Sequence, residues 1–253
     1  DFKEAIERSQ PQAYYLEMEE ADKDDPNVPV LLKNSKFAEV FESLTNMYAV
    51  PRYNEVDPTP LLAPFYLVFF GMMVADMGYG LLMLIATAFV LKKGNLEDSK
   101  KKFIRFFFYL SFSVIAWGAL YGSFFGDLLP IKGLVDPAQE YQSILIVAVI
   151  FGLIHLFFGL GIKAYMDIRD KRYFDALFDV GFWYMALAGG IVLILTTVVP
   201  ISATVKTVSK IVMIIGLAGI LLTGGREGKS TGAKIGMGIY ELYGISGYVG
   251  DFI

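Results

Sequence analysis

Between Leu61 and Leu91 only one side chain, Asp76, is charged at neutral pH, and four further stretches carry no charge at all: Phe106 to Gly126, Ser143 to Ile162, Val180 to Val205 and Ile211 to Gly225. A hydrocarbon core about 30 Å thick is crossed by roughly 20 apolar residues in a helix. Backbone polar groups in lipid must pair within their own segment, so such runs are helices or the strands of a closed barrel. Here the apolar residues are continuous rather than alternating, which excludes a membrane β-barrel. Composition agrees: 55% of residues are hydrophobic and mean hydropathy is +0.51, against about 45–50% apolar residues in a soluble domain. The expected fold class is all-α, a polytopic transmembrane bundle.

The flanks are different in kind. Residues 1–60 hold 13 Asp and Glu against 6 Lys and Arg and read as a juxtamembrane segment, with a solvated acidic run from Glu17 to Asp25. Phe37, Phe41, Leu44 and Tyr48 recur at helical spacing behind Asn34 and Ser35, which suit an N-cap. Thr59 followed by Pro60 marks the start of the next helix, because proline at the first helical position loses no needed hydrogen bond. Residues 61–253 then form the membrane domain. Its expected segments are a broken hairpin at 61–91, spans at 103–126, 141–163, 174–199 and 205–225, and the start of a further helix at 235–253.

Loop charges set the orientation. Lys92 to Arg105 contains six Lys and Arg, Lys163 to Phe174 four, and Arg226 to Lys234 three, while Asp127 to Gln142 has only Lys132. The rich loops are expected in the cytoplasm, together with the N-terminal segment. Leu61 to Leu91 must then begin and end on one side, so the 31 residues are expected to fold as two half-helices broken near Asp76-Met77-Gly78-Tyr79-Gly80; the rival is one long tilted helix with the N-terminal segment outside.

Asp76 is the most informative polar residue. A charge at bilayer depth costs about 2.5–3.5 kcal/mol on the lenient scale, so it faces protein or water. It reads either as an ion-pathway carboxylate or as a structural cap at the break, with Gly78 and Gly80 beside it. His155, the single histidine, reads as a neutral side chain bonded to a neighbouring helix or as a proton relay. Asp127 and Asp179 fall at opposite helix ends, at the interfaces. At 100° per residue Glu241, Tyr248 and Asp251 share about a quarter of one helix face, a polar stripe that suits either an aqueous path or an interfacial cap. Candidate ion-pathway residues are therefore Glu241, Asp251, Tyr248 and His155.

Several chemistries are excluded. Without cysteine there is no disulfide, thiolate nucleophile or cysteine metal site. Gly224 to Ser230 has the letters of a phosphate loop but neither its spacing nor a preceding strand, and reads as a flexible turn. No cofactor pattern is present, and a net charge of -4 implies no nucleic-acid partner.

Val28 to Asn34, Phe41-Glu42, Met47-Tyr48 and Pro51 to Pro60 lead directly into LLAPFYLVFFGMMVADMGYG at 61–80. This block resembles the junction of cytoplasmic and membrane domains in subunit a (subunit I) of prokaryotic V/A-type rotary ATPases. Gly122 to Asp127, Gly152 to Gly161 and the closing LYGISGYVGDFI at 242–253 match in the same order. The resemblance implies a non-catalytic stator subunit whose half-channels carry H⁺ or Na⁺ past a rotating c ring. It also implies peripheral- and central-stalk partners, a plasma-membrane location, ATP hydrolysis on other subunits, and an essential arginine beyond Ile253. Read without the resemblance, the same residues fit a secondary transporter or channel, or a membrane anchor for a cytoplasmic stalk.

Overall fold

The computed structural model describes residues 8–9, 28–126, 128–137, 139–226 and 228–252, without the side chains of Val198, Val249, Asp251 and Phe252. The acidic run at 17–25, Asp127, Glu227 and the Asp251 side chain therefore lie outside the described residues. The chain divides into two compact units, Asp1–Leu62 and Ala63–Ile253. No β-strand occurs among the described residues.

In the first unit a 3₁₀ turn, Ala38–Phe41, leads into α1, Glu42–Tyr48. Phe41 is fully buried and meets Phe37 at a tilt, with ring centroids 5.4 Å apart. The expected cap is split between its two residues. The Ser35 hydroxyl accepts the Ala38 amide (3.3 Å), while Asn34 donates instead to Glu42 (3.0 Å) and Asp57 (2.7 Å). Asp57 in turn accepts the Thr59 amide (2.8 Å) at the start of α2, Thr59–Val74.

The second unit continues with α3, Met77–Lys93, α4, Asp98–Tyr121, and α5, Tyr141–Arg169. After these come α6, Tyr173–Thr197, α7, Ala203–Thr223, and α8, Thr231–Phe252. Helices α4 to α7 are each long and apolar enough to cross a membrane. The helices start and stop where capping chemistry dictates. Hydropathy places the α4 span at 103–126, yet the helix occupies Asp98–Tyr121, because Gly122 closes it in the left-handed conformation (φ 72°). Helix α5 runs on to Arg169, beyond its apolar stretch. Helix α8 begins before Ile235 because the Ser230 hydroxyl accepts the Ala233 amide (3.2 Å).

Neighbours along α4 establish the course of the first two membrane helices. Tyr66 meets Phe106 (5.7 Å), Gly71 faces Ser113 and Trp117, and the α2–α3 junction lies against Gly118. Gly80 then returns to Ile115 and Val114. Helix α2 thus runs parallel to α4 and α3 antiparallel to it, so the chain reverses at Ala75 and Asp76. Gly118 makes this fit: a Cβ there would strike the Met77 amide nitrogen.

The buried core lies farther along, on Leu160 of α5, Val180, Trp183, Ala186 and Leu187 of α6, and Ile220 of α7. Glycine again permits close approach. Gly189 packs on Ser209 and Met213, and Gly216 on Phe182 and Ala186. In lipid, where apolar burial between helices gains little, such small-residue contacts and their dispersion energy hold helices together.

Candidate functional site

Of the four candidate polar residues with described side chains, Asp76 stands apart, His155 and Tyr248 line one hollow and Glu241 lines another. Asp76 is buried at the reversal between α2 and α3. Its two carboxylate oxygens accept four hydrogen bonds, from the amides of Tyr79 (3.0 Å), Phe125 (3.0 Å) and Gly126 (2.7 Å) and from the Ser123 hydroxyl (2.8 Å). The Met77 amide adds a bond to the Ser123 carbonyl (2.9 Å). One carboxylate thus ties the break to the turn after α4. It also braces two non-glycine residues with positive φ, Ala75 (38°) and Phe125 (47°), a conformation that costs about 1–3 kcal/mol per residue. Gly78 and Gly80 are placed differently from the expectation. Both sit inside α3, buried, where a Cβ would collide with the Phe125 ring (2.6 Å) and with Ile115 (2.7 Å). They serve close packing; the unwinding is confined to Ala75 and Asp76.

His155 stands on α5 with its ring between Phe65 (4.7 Å) and Phe69 (5.5 Å) of α2. One side opens on a hollow of about 550 Å³ lined by Gly152, Leu156, Gly159, Lys163 and Tyr248. Tyr248 of α8 is held edge-on to Trp183, with centroids 4.5 Å apart. The structure therefore brings His155 and Tyr248, 93 positions apart in the chain, to one hollow.

A second hollow of about 200 Å³ adjoins it through a shared wall residue, Lys163. Asp179, Trp183, Thr223, Arg226 and Glu241 line this one. Glu241 reaches it because Gly224 has no side chain; a Cβ there would lie 2.7 Å from the Glu241 Cγ. The Glu241 carboxylate is exposed and makes no hydrogen bond or ion pair with the described residues. Seven residues separate it from Tyr248, about 10 Å along α8 at 1.5 Å per residue. Polar side chains thus follow the α5–α8 seam from Arg226 to His155.

Sequence reasoning gave Arg226 no role beyond its loop charge. In the structure it donates two bonds to Asp179 (2.5 and 2.8 Å) and one to Asp175 (3.0 Å). Asp175 immediately precedes, and Asp179 lies within, a π-helical stretch, Ala176–Gly181, of α6, a departure from α-geometry that recurs at functional sites. Arg172 extends the string, pairing with Asp167 at 2.7 Å and lying 3.9 Å from Asp175. Among the described residues, the other oxygen of Asp167 is buried without a hydrogen-bond partner. A signal was present: Asp175 and Asp179 are four apart, hence on one helical face, and that face has to meet a cation to sit beside a membrane. Asp179, expected at an interface, is a member of this ion-pair chain. Among the described residues no group of three or more His, Cys, Asp or Glu could hold a metal ion.

Comparison with known proteins bears on this arrangement. Residues 2–129 match the model of the V-type ATPase 116kDa subunit family, just over half of the chain. The chain belongs to that family. Similar curated proteins include the A-type ATP synthase subunit I of Pyrococcus horikoshii, 38% identical over 69% of this chain and 28% of its own length. The subunit I of Pyrococcus abyssi, also A-type, is 41% identical over 62% of the chain and 25% of its own length. The V-type ATP synthase subunit I of Chlamydia trachomatis is 33% identical over 65% and 24%. The chain spans about a quarter of the length of these relatives. As a member of the 116kDa subunit family with four helices fit to cross a bilayer, it is a multi-pass membrane protein.

Proposed function

We propose that this chain is part of the stator membrane subunit of a V/A-type rotary ATPase and contributes one wall of an ion half-channel beside a ring of c subunits. In this reading H⁺ or Na⁺ movement is coupled to rotation, ATP hydrolysis belongs to other subunits, and peripheral- and central-stalk proteins are the soluble partners. The subunit lies in the plasma membrane with residues 1–60 in the cytoplasm. The observation that supports it most directly is the pair of hollows that share Lys163 as a wall residue, with Glu241, unpaired among the described residues, on one and His155 and Tyr248 on the other. A carboxylate without a bonding partner beside a polar cavity can exchange a proton or hold a cation. Asp76, saturated by four donors, cannot do so without breaking the turn, so the reading assigns it a structural role.

The test uses the complete subunit in its assembled complex. Glu241→Gln is expected to lower ATP-driven ion uptake into vesicles several-fold, and Tyr248→Phe to lower it less, with the complex still assembled. Undiminished uptake in both variants would overturn the assignment of this seam to the ion path.

A further inference from the structure

We propose that the paired ends of α3 and α4 form a binding surface for anionic phospholipid. The segment 92–105 carries six cations against Glu97 and Asp98. A topology signal alone would be met by charges anywhere in the loop, yet the four linker residues Gly94 to Glu97 contain none of the cations. Lys92 and Lys93 stand on the last turn of α3, and Lys100, Lys101, Lys102 and Arg105 on the first two turns of α4. Because α3 and α4 pack antiparallel, both sets gather at one end of the pair.

Among the described residues these charges are neutralised only in part. Glu97 pairs with Lys100 (3.1 Å), on the surface. Lys92, Lys101 and Arg105 meet no anionic partner among the described residues. The lysines of α4 also stand at a helix N-terminus, where the backbone dipole disfavours cations and favours an external anion. The second half of the recognition is apolar. Phe89, 59% exposed, lies one turn before Lys92 and Lys93, with the Lys93 ammonium 4.8 Å from its ring centre. Phe103, 57% exposed, lies one turn from Lys100. Each cationic set is therefore followed, toward the apolar body of its helix, by an exposed ring. A phosphate headgroup on the lysines with its acyl chain along Phe89 or Phe103 matches both features, whereas a soluble acidic protein would use only the first.

The complete subunit, reconstituted in vesicles of phosphatidylcholine or of equal phosphatidylcholine and phosphatidylglycerol, is released and its retained lipids are counted by native mass spectrometry. Wild-type protein is expected to retain phosphatidylglycerol over phosphatidylcholine. Each of Lys92→Gln, Lys101→Gln and Arg105→Gln should weaken retention about fivefold, the worth of one cation at an anionic membrane surface. Lys229→Gln, in another basic loop, should change nothing. Lys92→Arg with Lys101→Arg keeps the charge and should keep the lipid, which separates lost binding from lost folding. Phe89→Ala with Phe103→Ala should reduce retention with every cation in place. Equal retention by wild type and the Gln variants, no effect of the Phe pair, or displacement of the lipid by a co-purifying acidic protein would each overturn the proposal.

Discussion

Asp76 and Asp179 are both aspartates among apolar helices, and they are neutralised by opposite means. Asp76 is surrounded by neutral donors, three amides and a hydroxyl, in a turn it helps to shape. Asp179 faces a full countercharge, Arg226, which it shares with Asp175. Amides fixed by the backbone can stabilise an anion only in one local geometry, so Asp76 is a staple. An ion pair on side chains with about 30% exposure is screened by solvent and can rearrange. The first arrangement suits a joint and the second suits an edge of a working cavity.

Breaking the staple is expected to have the largest effect. Asp76→Ala leaves four donors without an acceptor, each costing about 1–3 kcal/mol if buried, so a loss of about 3 kcal/mol or more should appear as a lower thermal unfolding midpoint in detergent. Asp76→Asn should recover only part of it, since one amide oxygen cannot serve four donors. Next is Gly118→Ala, whose Cβ would strike the Met77 nitrogen. Overpacking of this kind costs about 1–3 kcal/mol, and unfolding should again report it. Arg226→Gln should cost less, about 1 kcal/mol, the surface value raised slightly for a bidentate pair. That loss should shrink as salt is added, while the Asp76 effect stays constant, because salt screens exposed charges but not a buried carboxylate. Glu241→Gln, with no partner to lose, should shift stability by less than about 0.5 kcal/mol. Under the proposed function its effect is on ion uptake, and a large stability loss would show that it has a structural role instead.

Much of the helical plan was legible beforehand, because long uncharged runs leave the backbone no choice in lipid. Thr59-Pro60 marked a helix start that the structure shares, and Gly122 and Ser230 moved others by several residues through local bonds that hydropathy does not register. At the site, spacing on one helix placed Glu241 and Tyr248 on a common face. It gave no indication that His155 would face Tyr248, nor that Lys163 would stand between two hollows. Gly78 and Gly80 read as breakers because glycine next to a buried charge fits a turn. Their use instead is to admit Phe125 and Ile115, a demand that comes from other parts of the chain.

Taken alone, the order of residues determines that this chain forms apolar helices and where charge is tolerated, since these follow from local composition and periodicity, while the family is legible only through its resemblance in specific blocks such as 51–80. Only the tertiary structure decides which carboxylate is spent on amides, which on an arginine and which is left unpaired. The reason is physical: a charge at the membrane is stabilised by whatever donors lie within about 3 Å of it. For Asp179, and for Asp76 in three of its four bonds, those donors come from turns some fifty residues away.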